Sequence, residues 1–138
     1  MWHRLHPWPD SASGLARLRK KYVVATLSNG NVGLLTNLGK NAGLPWDVIL
    51  SAELSKHYKP DPEVYLQAAE LLDLKPKETM MVAAHFEDLE AARGCGMQTG
   101  FICRRDEFGP LRQADIANPG QFDIVSSGLL DFAAQMGA

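Results

Sequence analysis

The run Val23-Val24-Ala25-Thr26-Leu27-Ser28-Asn29-Gly30 constrains this chain more than any other stretch. A short apolar segment with β-branched residues stops abruptly in small polar ones, and apolar residues at helical spacing follow (Val32, Leu35, Leu38, Ala42). A segment of that length reads as a buried parallel strand. Asn29-Gly30 reads as the turn off its carboxyl end, and Asn31 or Gly30 suits the cap of the next helix. Ser28 and Asn29 then face a crevice at the strand ends, beside a helix amino terminus. Open α/β sheets bind ligands in that place, and the backbone N–H groups there favour an anion.

The rest of the chain repeats the alternation. Helices are expected over 12–21, 31–42 (closed by Gly43), 62–73, 87–95 and 128–136. Strands are expected over 22–28, 47–51, 79–84, 99–103 and 122–125. The alternation predicts a parallel sheet built from right-handed crossovers, in one domain spanning 1–138. Residues 1–10 read as irregular around Pro7, Trp8 and Pro9, with Asp10 or Ser11 as a helix N-cap. Residues 104–121 read as a long loop, and Trp46 reads as core. The basic turn Arg17, Arg19, Lys20, Lys21 suits the negative end of a helix dipole better than a binding patch.

Composition removes several classes. Of 138 residues, 46% are hydrophobic and 22% charged, with net charge −2, so neither a disordered chain nor a nucleic-acid binder is indicated. No apolar run approaches the roughly 20 residues of a membrane span, so no membrane partner is expected. Two cysteines, Cys95 and Cys103, make no disulfide framework. They read as free thiols of a reducing, cytoplasmic compartment, against one structural disulfide.

Three strand or loop ends carry polar groups where a parallel sheet concentrates chemistry: Ser28-Asn29, Lys59, and His85 with Asp88. Each has a plain alternative. Ser-Asn after a strand is often a turn, and Lys before Pro is often a solvated loop residue. A histidine there can be a satisfied edge group, and an acid in a first helical turn is favoured by the dipole alone. Their shared position after apolar strands strengthens the joint reading.

Three segments, 23–30, Tyr-Lys-Pro-Asp-Pro-Glu-Val-Tyr (58–65) and Met-Val-Ala-Ala-His-Phe-Glu-Asp-Leu-Glu-Ala-Ala-Arg (81–93), resemble successive motifs of the haloacid dehalogenase superfamily. The Leu-Ser-Asn-Gly ending is closest to the 2-haloacid dehalogenase branch. Trp8-Pro9-Asp10, and Arg105 with Glu107-Phe108-Gly109, also resemble that branch. The resemblance implies a three-layer α/β sandwich with a Rossmann-like parallel sheet. It implies hydrolytic dehalogenation of a small 2-haloacid through an aspartyl ester. By the same resemblance Lys59, Asp88 and Ser28 are catalytic, while Ser28, Asn29, Tyr65 and His85 bind the substrate. Lys59 neutralises carboxylates, Asp88 positions or activates water, and Tyr65 supports the site.

The resemblance also implies a strand ending in a nucleophilic aspartate, followed by a helical cap. Neither is found in this sequence, and that strand would lie between 22–28 and 79–84. Asp10 and Asp123 are poor replacements, so no residue is assigned as nucleophile. The chain therefore reads as an N-terminally truncated or misstarted haloacid dehalogenase-like hydrolase, with little turnover expected as it stands, and a non-catalytic remnant or interaction module of the same fold is the alternative. A magnesium-dependent phosphatase is the rival chemistry. Phosphatase members carry an acid four residues before the position of Asp88, where this chain has Ala84, so no metal and no cofactor are expected. An open slot between two apolar strands would strand backbone groups. Direct pairing of 22–28 with 79–84, or completion by a second copy or a strand-donating partner, is therefore expected.

Overall fold

The computed structural model describes residues 11–103, 117 and 120–138. Its elements run in the order α1 (Ser11–Arg19), α2 (Val32–Ala42), α3 (Ala52–Ser55), α4 (Pro62–Leu71), β1 (Met80–Ala83), α5 (Phe86–Gly94), β2 (Gln98–Ile102), β3 (Ile124–Ser126) and α6 (Leu129–Gln135). A 3-10 turn at Pro76–Glu78 leads into β1. The three strands form one parallel sheet in the order β1-β2-β3, with Met80 opposite Gln98 and Gly100 opposite Ile124. Helices cover both faces. On one face Val64, Tyr65 and Ala69 of α4 and Leu89 and Ala92 of α5 pack with Met81 and Phe101. On the other, Leu18 of α1 and Phe132 and Ala133 of α6 pack against Met80, Val82 and Ile124. This is the parallel sheet that the alternating pattern predicts, in the three-layer α/β arrangement that the resemblance implies.

Local chemistry explains the element ends. Asn31 caps α2 by accepting the Leu34 N–H at 2.7 Å. Gly43 ends the same helix in the left-handed region at φ +67°, where a side chain would be strained. Pro62 opens α4, a position where the missing N–H costs nothing. The basic end of α1 ties down other segments: Arg19 Nε donates to Asp47 Oδ1 at 2.6 Å, and Arg17 donates to the Ala138 carbonyl. Helices α1 and α6 approach so closely that a Cβ on Gly14 would lie 2.5 Å from the Leu129 Cβ. Gly100 serves a similar end on β2, where a Cβ would stand 2.6 Å from the Phe132 ring.

Two expected strands are reduced. Segments 22–28 and 47–51 run parallel, but only as isolated bridges, Ala25 with Val48 and Ser28 with Ser51. The cause is Thr26. Its hydroxyl donates to the Leu50 carbonyl at 2.8 Å and accepts the Leu50 N–H at 3.0 Å, so a side chain stands in the ladder where a backbone carbonyl belongs. The Asp47 carboxylate likewise takes the Val24 N–H at 2.8 Å. Trp46 is half-buried against Gly39 rather than wholly in the core.

Direct pairing of 22–28 with 79–84 does not occur. Among the described residues, the backbone of 24–28 bonds to 47–52, and β1 pairs with β2 alone. Both segments are pinned elsewhere, and closing the gap would need a shift of about one strand spacing, roughly 5 Å. They nevertheless share both cores: Leu27 and Ala83 line one, and Val24 and Val82 the other. The burial of β1 reflects its place, since only Met81 is fully buried there, whereas four of the five residues of β2 are. Cys95 and Cys103 are both free thiols. No described helix is long and apolar enough to cross a membrane. Asp10, Arg105, Glu107, Phe108 and Gly109 lie outside the described residues.

Candidate active site

Asp88 is the centre of the arrangement. It lies in the first turn of α5, immediately after β1 ends, and both its oxygens are engaged. Lys59 Nζ donates to Oδ2 and the Tyr65 hydroxyl donates to Oδ1, each at 2.6 Å. The Lys59 and Asp88 side chains are mostly buried, at 19% and 16% exposure, so water screens this ion pair less than an open surface pair. Tyr65 is completely buried on α4 and anchors Asp88 from inside the core. Burial pushes the Tyr65 hydroxyl far above the usual tyrosine range, and its bond to the Asp88 carboxylate pushes it further. Tyr65 therefore stays protonated at neutral pH and donates a hydrogen bond to Asp88.

Lys59 comes from the loop between α3 and α4, where the Lys59–Pro60 peptide is cis. Asn29 reaches this loop from the end of 22–28. Its Oδ1 accepts the Lys59 N–H at 2.7 Å, and its Nδ2 donates to the Lys59 carbonyl at 3.4 Å. Ser28 uses its hydroxyl inside its own turn, accepting the Gly30 N–H at 3.1 Å. His85 is exposed at the N-cap position of α5, three residues before Asp88. Asn29, Lys59, Tyr65 and Asp88 thus form one bonded set. Ser28 and His85 join it as chain neighbours of Asn29 and of α5.

Two bracing residues escape a motif-based reading. Ser51 is buried, donates to the Gly30 carbonyl and accepts the Glu53 N–H at 3.0 Å. Glu53 accepts the Val32 N–H at 3.4 Å. The Ser-x-Glu pattern at the start of α3 was the available signal, since serine is a preferred N-cap.

Asp123 sits at the amino end of β3, the edge opposite Asp88. Its Oδ2 accepts the Thr99 N–H at 2.8 Å. Among the described residues, one trio of His, Asp and Glu could surround an ion: the exposed His57, Asp61 and Glu63. Asp88 is not in it. A hard cation at Asp88 would have to displace an ammonium and a hydroxyl, and Ala84 offers no second carboxylate.

The parallel α/β sheet thus carries a lysine–carboxylate–tyrosine set at its carboxyl edge, where open α/β sheets bind ligands. The family model of haloacid dehalogenase-like hydrolases matches residues 1–96, and the chain belongs to that family. An (S)-2-haloacid dehalogenase 4A of Burkholderia cepacia is 37% identical over 119 residues, covering 80% of this chain and 52% of that protein. A defluorinating L-2-haloacid dehalogenase of known crystal structure superposes with a TM-score of 0.95 at 48% identity, covering 99% of this chain and 56% of the other. The L-2-haloacid dehalogenase of Xanthobacter autotrophicus with chloropropionic acid covalently bound gives a TM-score of 0.84 at 26% identity, covering 99% and 63%. The chain spans about half the length of the curated relatives it matches.

Proposed function

We propose that this chain supplies the cation, the water-activating acid and the substrate-holding turn of a site that hydrolyses a small 2-haloacid. The observation that carries this reading is the doubly held Asp88, paired with Lys59 and bonded by Tyr65. In the reaction, an aspartate oxygen attacks the carbon bearing the halogen and the halide leaves with the bonding electrons. Water then adds to the aspartyl ester and frees the hydroxy acid and the aspartate. Lys59 offsets the crowded negative charge, which keeps a neighbouring carboxylate ionised. Asp88 orients and deprotonates the water, its own position set by Tyr65. Ser28 and Asn29 hold the substrate carboxylate beside the amino end of α2, and His85 adds a hydrogen bond at the mouth.

The nucleophile is not among the described residues at this edge. We place it on a parallel strand between 22–28 and β1, supplied by a segment outside this sequence or by a strand-donating partner. A phosphatase reading is disfavoured by Ala84 and by the ammonium that occupies Asp88.

The test is halide release from 2-chloropropionic acid by the chain alone and by the chain linked to an apolar strand ending in aspartate. Halide is expected only from the second. Asp88→Asn should lower that rate by about 10²–10⁴-fold, the usual size of a general acid–base contribution. Halide release by the unlinked chain would overturn the assignment, and magnesium-dependent phosphate release would replace it with the rival chemistry.

A further inference from the structure

We propose that Asn29 is a positioning residue for Lys59, gripping the Lys59 peptide unit at both ends and so setting where the ammonium meets Asp88. This rests on the reading of Lys59 as the working cation of the site.

The grip spans 30 residues of chain. The Asn29 carboxamide accepts from the Lys59 N–H at 2.7 Å and donates to the Lys59 carbonyl at 3.4 Å. Its orientation is fixed by chemistry: a backbone N–H can only donate, so Oδ1 must face it. One amide hydrogen and one lone pair remain for a ligand, so gripping Lys59 and touching substrate are compatible.

Asn29 is itself held on both sides. Ser28 Oγ takes the Gly30 N–H at 3.1 Å, the buried Ser51 hydroxyl holds the Gly30 carbonyl, and Asn31 caps α2. The turn has its own bonds on both sides of Asn29. Lys59 needs such a hold. Its four-carbon stem carries about 2 kcal/mol of rotamer entropy, and an ammonium is a point charge with no fork to align it. Fixing the backbone root limits where the tip can go. Tyr65 fixes the other partner from the core, so each member of the ion pair has its own anchor. Both grip bonds lie at the surface, where water competes with each; two bonds to one peptide plane set its orientation as one could not.

Amine acylation of the intact chain, read lysine by lysine by mass spectrometry, tests this without turnover. Lys59 should label slowly in the wild type, and Asp88→Asn should set the rate for an unpaired ammonium. Asn29→Ala should raise Lys59 labelling roughly two- to tenfold, the equivalent of one modest hydrogen bond, with the exposed Lys77 unchanged. Asn29→Asp keeps the acceptor for the Lys59 N–H but loses the donor to the Lys59 carbonyl, and should recover only part of the protection. If Asn29→Ala labels like the wild type while Asp88→Asn is fast, Asn29 does not position Lys59 and the proposal fails alone. If Lys77 accelerates equally, the effect is general loosening and the proposal also fails. If Asp88→Asn itself leaves Lys59 protected, the ion pair is not what holds the ammonium, and the functional reading falls with the inference.

Discussion

At the scale of single residues, Asp88 and Tyr65 depend on one another. The Tyr65 hydroxyl is raised first by burial and second by the carboxylate it faces. Asp88→Asn removes only the second cause. Tyrosinate absorbance against pH should therefore show Tyr65 moving toward, but not reaching, its ordinary value. A Tyr65 that already ionises in the ordinary range in the wild type would contradict the arrangement. Asp88→Ala should also cost roughly 1–3 kcal/mol in urea denaturation, because a buried hydroxyl loses its partner. The types of these residues were legible in the sequence, since lysine, tyrosine and aspartate fall at motif positions. Their division of labour was not. Asn29 reads as a ligand for substrate, yet its side chain is bonded to a peptide 30 residues away, which no local pattern encodes.

At the scale of elements, helices were read within one to two residues because caps such as Asn31, Gly43 and Pro62 carry their own chemistry. The two short strands were overread. Apolar alternation reports burial, but Thr26 spends its hydroxyl on Leu50 and breaks the ladder. The four-residue helix α3 is too short to show periodicity and was missed. Asp47 joins these elements, accepting from Val24 N–H and Arg19, and its carboxyl is held below the usual range chiefly by the Val24 N–H. The folded state thus binds that proton less well than the unfolded state. Its contribution is complete above the ordinary carboxylate range and fades as pH falls through the lowered value. Asp47→Asn should flatten the acid side of the stability–pH curve, the two proteins converging at low pH. The effect is modest because the pair lies near the surface. Parallel curves for the two proteins would assign the acid sensitivity elsewhere.

At the scale of the whole molecule, β1 pairs with β2 alone and 22–28 bridges to 47–51 alone, so among the described residues each has a flank without a ladder partner. An edge of that kind recruits another strand. Light scattering across a dilution series should show self-association, and an apolar peptide strand should raise the melting temperature while dispersing the oligomers. A dilute monomer indifferent to the peptide would mean that the edge is closed in some other way. The seam between α1 and α6 has no such latitude. Helices α1 and α6 meet with Gly14 against Leu129, and a methyl group there has no room. Trimming residue 129 would not open this seam, because the Leu129 backbone carbon itself stands 2.9 Å from a Cβ at position 14. A side chain at 14 requires the two helices to separate, so related sequences that keep this seam should keep glycine there whatever they carry at 129.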